Sequence, residues 1–448
     1  MVSFEYNKTM PKLKTIYSCQ NCGYTSTQWV GQCPECGGWN TLIEDVISVS
    51  KSTKKASIQK RFSGEGLVRL SEVLSVPPKR IKTGIEEFDR VLGGGFVPGQ
   101  VVLLAGEPGI GKSTILTEIA KSLEDRKVLY VCGEESVEQV KLRALRMGYK
   151  ASNLLVFAET NVDLIISEIY KNTDLALIVI DSIQTLYSDD LAGSTGSLVQ
   201  VRGCTQLLSE SVKRAGVPLV LVGHVTKQGV VAGPKVLEHI VDTVLYLEGD
   251  SQHLFRILRT TKNRFGPVSE VGIFEMVEKG MKEVKNPSEL FLEQRLSSSP
   301  GSCVTVVMEG FRPLLFEIQA LTTKTSFGYP RRTASGFSSN RLQVLIAIIE
   351  KRARMNLSNH DVYLSVAGGF KVKEYASDLA VCLAIASSIK DTPLREGTAT
   401  FGECGLSGEI RKVTAGERRS SEATKLGFSN LITPSNTRTL LEAIKKAF

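Results

Sequence analysis

Six short apolar runs, each followed by a stretch with helical spacing, set the frame of the chain between about residues 67 and 285. They are VVLLA (101–105), VLYVC (128–132), LLVFA (154–158), LALIVI (175–180), PLVLVG (218–223) and TVLYLEG (243–249). The runs are continuously apolar rather than alternating, which predicts strands covered on both faces, and helices between them predict a parallel sheet. A second α/β region begins after NPSEL and SSSPGS, from about residue 286, and runs to Phe448. Residues 1–48 are cysteine-rich, and residues 49–66 are rich in Ser, Lys and Gly without an apolar period, as a linker is. The division is therefore 1–48, 49–66, 67–285 and 286–448.

Composition narrows this only a little. The 448 residues are 42% hydrophobic and 23% charged, values of a soluble globular protein. No apolar run reaches the ~18 residues of a membrane span, and MVSFEYNKTM lacks the apolar core of a signal peptide. A cytoplasmic, reduced protein without a membrane partner is expected. The net charge of +8 is unevenly placed: 51–61 holds five basic and no acidic residues, and 324–354 holds seven basic and one acidic. Such stretches allow a polyanionic partner, or are solvated faces.

Cys19, Cys22, Cys33 and Cys36 form two C-x2-C pairs with ten residues between them. Two such knuckles turning at Gly23 and Gly37 complete a tetrahedral thiolate set suited to structural Zn²⁺. So short a segment needs the metal for folding energy. Redox and disulfide readings fit paired knuckles less well, and four thiolates leave no open position for catalysis.

GEPGIGKST follows the strand VVLLA and opens a helix, the context a phosphate loop requires. Gly106, Glu107, Pro108, Gly109, Ile110, Gly111, Lys112, Ser113 and Thr114 would wrap ATP. Backbone N–H groups close on the phosphates, Lys112 reaches the β/γ oxygens, and Ser113 ligates Mg²⁺. Asp181, at the tip of LALIVIDS, supplies the second contact to the metal's shell. The next residue is Ser182, where many ATPases carry the catalytic carboxylate. Glu134 and Glu135, in YVCGEES, are the replacements, with Glu134 placed first as the water-orienting base. The competing reading makes them acids at a helix start.

A carboxylate displaced to an adjacent strand resembles the RecA-type core rather than the AAA+ type. The ordered set C4 knuckle, RIKTGIEEFDRVLGGGFVPGQ, GEPGIGKST, CGEES, LIVIDSIQTLYS, GHVTKQG and KNRFG closely resembles the bacterial RadA (Sms) family of DNA repair proteins. The resemblance implies a RecA-type P-loop core with a mainly parallel sheet, an N-terminal zinc knuckle and a C-terminal Lon-protease-like (S5-like) α/β domain. It makes Lys262 and Arg264 of KNRFG cations delivered to the ATP of the next subunit in a ring, a hexamer. Contact of KNRFG with DNA is the alternative. It also implies channel loops at 188–202 and 223–235, with Lys227 and Lys235 on DNA phosphates, and makes His224 a γ-phosphate sensor. A structural histidine remains equally open there.

The C-terminal region is similar to the Lon catalytic domain, whose serine position falls on Ala376 and whose lysine position falls on Glu417. That pair has neither nucleophile nor base, so peptidase activity is not expected; Ser377 lies about 100° further round a helix. Arg331, Arg332 and Arg341 suit a DNA-phosphate surface. The implied function is a DNA-dependent ATPase of homologous recombination and repair, a ring motor that processes or branch-migrates intermediates on single-stranded and branched DNA, beside a recombinase such as RecA. The alternative is a KaiC-like ATP-dependent assembly switch acting on proteins.

Overall fold

The computed structural model describes residues 12–19, 24–49, 79–224, 236–249, 255–292, 299–326 and 328–448. Cys22, Lys227 and Lys235 lie outside them. Two compact units emerge: one runs to Glu248 and adds Thr260–Val268 and Glu278–Met281, and the other takes Gly249–Arg259, Ser269–Val277 and Lys282–Phe448. Among the described residues no helix is long and apolar enough to cross a membrane.

The first unit opens with a small antiparallel sheet ordered β2-β1-β3, from β1 (Lys12–Cys19), β2 (Thr25–Ser26) and β3 (Leu42–Val49). Its elements then alternate: α1 (Glu86–Leu92), β4 (Val101–Gly106), α2 (Lys112–Ser122), β5 (Lys127–Cys132), α3 (Val137–Arg146) and β6 (Leu154–Phe157). They continue with α4 (Val162–Lys171), β7 (Leu175–Asp181), α5 (Leu198–Ala215), β8 (Leu219–His224) and β9 (Thr243–Glu248). The order β9-β4-β8-β7-β5-β6 is parallel throughout. Every residue of β4 and β7 is buried, as the uninterrupted apolar runs predict for a sheet covered on both faces. One strand pairing decides the site: β5 lies beside β7, with β8 and β7 between it and β4.

Strand β10 (Phe255–Asn263) is divided between the units, and its last residues run beside β9, where Thr243 Oγ1 and Asn263 Oδ1 are 3.2 Å apart. β11 (Val271–Val277) pairs antiparallel with the first part of β10, and β12 (Gly280–Glu283) follows. The second unit continues with α6 (Pro287–Leu292), β13 (Ser302–Glu309), β14 (Arg312–Lys324), β15 (Arg332–Ser335), α7 (Ser339–Arg352), β16 (His360–Val366) and α8 (Asp378–Lys390). It ends with β17 (Thr398–Thr400), β18 (Glu403–Cys404), β19 (Ile410–Arg411), α9 (Gly416–Lys425), β20 (Asn430–Ile432) and α10 (Leu440–Ala447). Its main sheet is ordered β15-β16-β14-β13-β17-β20. Helix α8 is apolar nearly all round and buried from Asp378 to Ser387, so it forms the centre of this core with α7 and α10.

Candidate nucleotide site and metal centre

The phosphate loop joins β4 to α2. Gly109 and Gly111 hold φ of 75° and 112°, a region that costs L side chains energy and glycine nothing. Glu107, Pro108 and Gly109 are exposed, while Ile110 anchors the loop in the core. Lys112, 4% exposed, donates from Nζ to the Gly106 and Glu107 carbonyls at 3.0 and 2.9 Å. Burial pushes its pKa down, and the charges of Asp181 and Glu134 oppose that shift. Thr114 sits in the first turn of α2, half-buried.

Asp181 ends β7, and Ser113 Oγ donates to its Oδ2 at 2.6 Å. A hydroxyl and a carboxylate brought together beside the loop are hard oxygen donors, a set that fits Mg²⁺. Register pairs Cys132 of β5 with Asp181, so the chain leaving β5 carries Glu134 past the tip of β7. Gly133 is required there: a Cβ would stand 2.0 Å from Thr185 Oγ1. Ser182 donates its hydroxyl to Glu134 Oε1, and His224 Nε2 lies 3.3 Å from Glu134 Oε2. His224 is the register partner of Gly106, so it closes the same site from β8.

Helix α3 begins only at Val137, with Ser136 as its N-cap in a reciprocal capping box with Gln139. Both glutamates therefore precede the helix. Glu135 is engaged by Arg143, whose Nη1 is 2.6 Å from Oε2. Three residues of this cluster escape motif reading: Tyr130, Arg143 and Ser182. Tyr130 is fully buried, its hydroxyl donates to Asp181 Oδ2 at 2.7 Å, and Arg143 Nη2 donates to that hydroxyl at 3.2 Å. Burial, and next the Asp181 charge, raise the phenol's pKa well above its usual value, so it remains a donor. The only sequence signal was a phenol in an otherwise aliphatic buried strand.

Lys262 and Arg264 are elsewhere. Because β9 runs parallel to β4, with Val102 opposite Thr243, Asp242 marks the end of the sheet opposite the phosphate loop. Arg264 Nη1 is 3.3 Å from Asp242 Oδ1, and Lys262 Nζ donates to the Glu238 and Val241 carbonyls. The six-residue length of β4, about 17 Å at a strand's rise, separates them from the loop of their own chain. Burial, then the neighbouring Arg264 charge, lowers the pKa of Lys262.

In the N-terminal sheet the Sγ atoms of Cys19, Cys33 and Cys36 all lie within 4.8 Å of one another, and Cys19 and Cys36 are 3.6 Å apart. Tetrahedral Zn–S bonds of about 2.3 Å place sulfurs about 3.8 Å apart, so these thiols fit a structural zinc. Gly37, at φ 68°, donates its N–H to the Cys33 carbonyl at 2.9 Å and turns the second knuckle. Trp29 and Trp39 are both exposed.

In the second unit, Arg331 is exposed, and its backbone N–H bonds Asp361 Oδ1 at 2.7 Å. Arg332 is half-buried and spends its guanidinium on the His360 and Leu357 carbonyls. Arg341 departs from a DNA-facing surface altogether. It forms a two-point ion pair with Asp378, which is wholly buried, bonds the Cys404 carbonyl at 3.0 Å and covers the Tyr375 ring. The buried carboxylate claims it, because Asp378 at the start of α8 has no water to solvate its charge. Ala376 and Ser377 are also wholly buried, and Ser377 Oγ donates to the Glu374 carbonyl at 2.8 Å. Glu417 is exposed in the first turn of α9.

A phosphate-loop cradle after β4, a hydroxyl and a carboxylate brought together on α2 and β7, and the parallel order β9-β4-β8-β7-β5-β6 define a RecA-type P-loop ATPase fold with an N-terminal zinc ribbon. Residues 68–230 match the family described as an AAA domain, and residues 17–44 match the rubredoxin metal binding domain. The chain is 49% identical to the DNA repair protein RadA of Bacillus subtilis (strain 168), over 95% of this chain and 93% of that one. It is 46% identical to the DNA repair protein RadA of Listeria monocytogenes serovar 1/2a (strain EGD-e), over 97% and 98% of the two. The RadB recombinase crystal structure matches 46% of this chain and 99% of its own at 23% identity, with a TM-score of 0.37. The chain belongs to the family of the DNA repair protein RadA.

Proposed function

We propose that the chain is a DNA-dependent ATPase of homologous recombination and DNA repair, working as a ring on single-stranded and branched DNA. One observation carries the reading: the base and the phosphate loop lie at one end of the sheet, and Lys262 and Arg264 lie at the other. Neither cation can serve its own nucleotide, so head-to-tail subunits in a closed ring, a hexamer, would pair each loop with a neighbour's cations. Contact of KNRFG with DNA is the second role this edge supports.

Lys112 and the N–H groups of 106–114 bind the triphosphate. Ser113 and Asp181 would hold Mg²⁺, which supplies charge neutralisation on the β- and γ-oxygens when bound. Glu134, oriented by Ser182, accepts a proton from the attacking water. Its proximity to His224 supports a route by which the γ-phosphate is sensed at the end of β8. Glu135 is the weaker base, because Arg143 already holds it.

The same reading divides the chain into a zinc knuckle (1–48), a linker (49–66), an ATPase domain (67–285) and a Lon-like domain (286–448) without peptidase activity. A buried alanine and an exposed glutamate at the dyad positions support the last point. Partners would be single-stranded and branched DNA and a RecA-type recombinase, in the cytoplasm. The KaiC-like switch on protein partners is disfavoured by relatives that are DNA repair proteins across nearly the whole chain. The deciding experiment is steady-state ATP hydrolysis with and without single-stranded DNA over a protein-concentration series. A rate that rises with DNA and steepens with concentration is expected, and indifference to DNA overturns the motor.

A further inference from the structure

Tyr130 and Arg143 take no part in the hydrolysis just described, yet they converge on its metal-binding carboxylate. Asp181 Oδ2 accepts two hydroxyls, Ser113 at 2.6 Å and Tyr130 at 2.7 Å. Arg143 reaches the same place from α3. Its Nη2 donates to the Tyr130 hydroxyl at 3.2 Å, its Nε donates to Thr117 Oγ1 at 3.1 Å, and its Nη1 holds Glu135. Thr117 in turn donates to the Ser113 carbonyl at 2.7 Å. A closed set of polar contacts thus joins α2, α3, β5 and β7 around one oxygen.

A buried phenol needs one acceptor, and any backbone carbonyl would satisfy it. Here the acceptor is the one carboxylate that must be aimed at a cation. Two hydroxyl donors on one oxygen fix the rotation of the Asp181 carboxylate. Hydrogen bonds that hold a ligating carboxylate from behind tune the affinity of a metal site whose own ligands are few. Arg143 fixes the phenol and removes Glu135 from the site with the same guanidinium, which leaves Glu134 as the only glutamate of the pair facing the loop.

We infer that Tyr130, held in place by Arg143, is a positioning residue that presets Asp181 for the divalent cation of the bound nucleotide. This rests on the reading of Ser113 and Asp181 as the Mg²⁺ site.

Tyr130→Phe removes the hydroxyl and keeps the ring that fills the core. The full-length protein would be titrated with Mg²⁺ at a fixed concentration of a fluorescent, non-hydrolysable ATP analogue, with a parallel affinity measurement in EDTA. Loss of one hydrogen bond to a charged acceptor should raise the Mg²⁺ midpoint about tenfold or more and leave metal-free affinity within about twofold. Arg143→Gln should shift the midpoint in the same direction, and the double variant should shift it no further than the larger single. An unchanged midpoint in Tyr130→Phe, a parallel loss of metal-free affinity, or additive shifts would each overturn the assignment. If the unsubstituted protein shows no Mg²⁺-dependent binding, the metal-site reading itself falls and takes this inference with it. The wild-type curve tells the two failures apart.

Discussion

Arg264 stands 3.3 Å from Asp242, and Asp242 in turn accepts the Val101 N–H at 3.1 Å, at the foot of the strand whose other end carries the phosphate loop. The same carboxylate therefore ties the KNRFG turn to the start of β4.

Mixed rings test this separation. Lys262→Ala and Glu134→Gln should each reduce hydrolysis by about 10²-fold or more while leaving nucleotide binding near wild type. Mixed together, the two inactive proteins should recover activity, because some interfaces combine an intact base with an intact neighbouring cation. A mixture as inactive as its parts would show that the cations do not act between subunits.

The alkaline limb of the rate should report on Lys262. Its active form is protonated and burial lowers its pKa in the nucleotide-free chain, so kcat/KM, which reports the free enzyme, should fall off at a pH below the ordinary lysine value of 10.5. Lys262→Arg keeps the charge to far higher pH. A pH–rate profile of that variant should lose the limb, and an unmoved limb would assign it to another group.

Removing zinc should unfold the N-terminal sheet and spare the rest. Cys33→Ser or a strong chelator should cost the bound metal, measured as one zinc per chain by atomic absorption, and quench the structure around Trp29 and Trp39. ATP binding measured on the same sample should persist. Loss of both together would mean that the ribbon supports the ATPase core.

Arg341→Ala should destabilise the second unit by about 3–5 kcal/mol, since it strands the buried Asp378 carboxylate. Arg331→Ala, at an exposed side chain, should be within about 0.5 kcal/mol of wild type. Thermal or denaturant unfolding compares the two. Any weakened DNA binding in the arginine-341 variant would then be read against its lost stability, whereas in the arginine-331 variant it would be direct.

Local chemistry was legible in the sequence wherever function needs a fixed spacing. The glycines of 106–111, Lys112 and Ser113 must follow one another for backbone N–H groups to close on a phosphate, and the C-x2-C pairs must be adjacent for two thiolates to share a metal. The parallel sheet was legible too, because burial on both faces forces unbroken apolar runs such as LALIVI. Tertiary structure alone decided what those residues do to one another. Strand order put β5 beside β7, which gave Ser182 to Glu134 and Tyr130 to Asp181 over separations of about 50 residues that no spacing rule spans. It also withdrew Glu135 to Arg143 and Arg341 to Asp378, because a buried charge takes the nearest partner that folding supplies. Sequence thus determined which groups the protein has for binding phosphate and metal. Only the packed sheet decided which glutamate Arg143 takes and which stays beside Ser182 and His224, and that the KNRFG cations stand at the end of the sheet away from the phosphate loop.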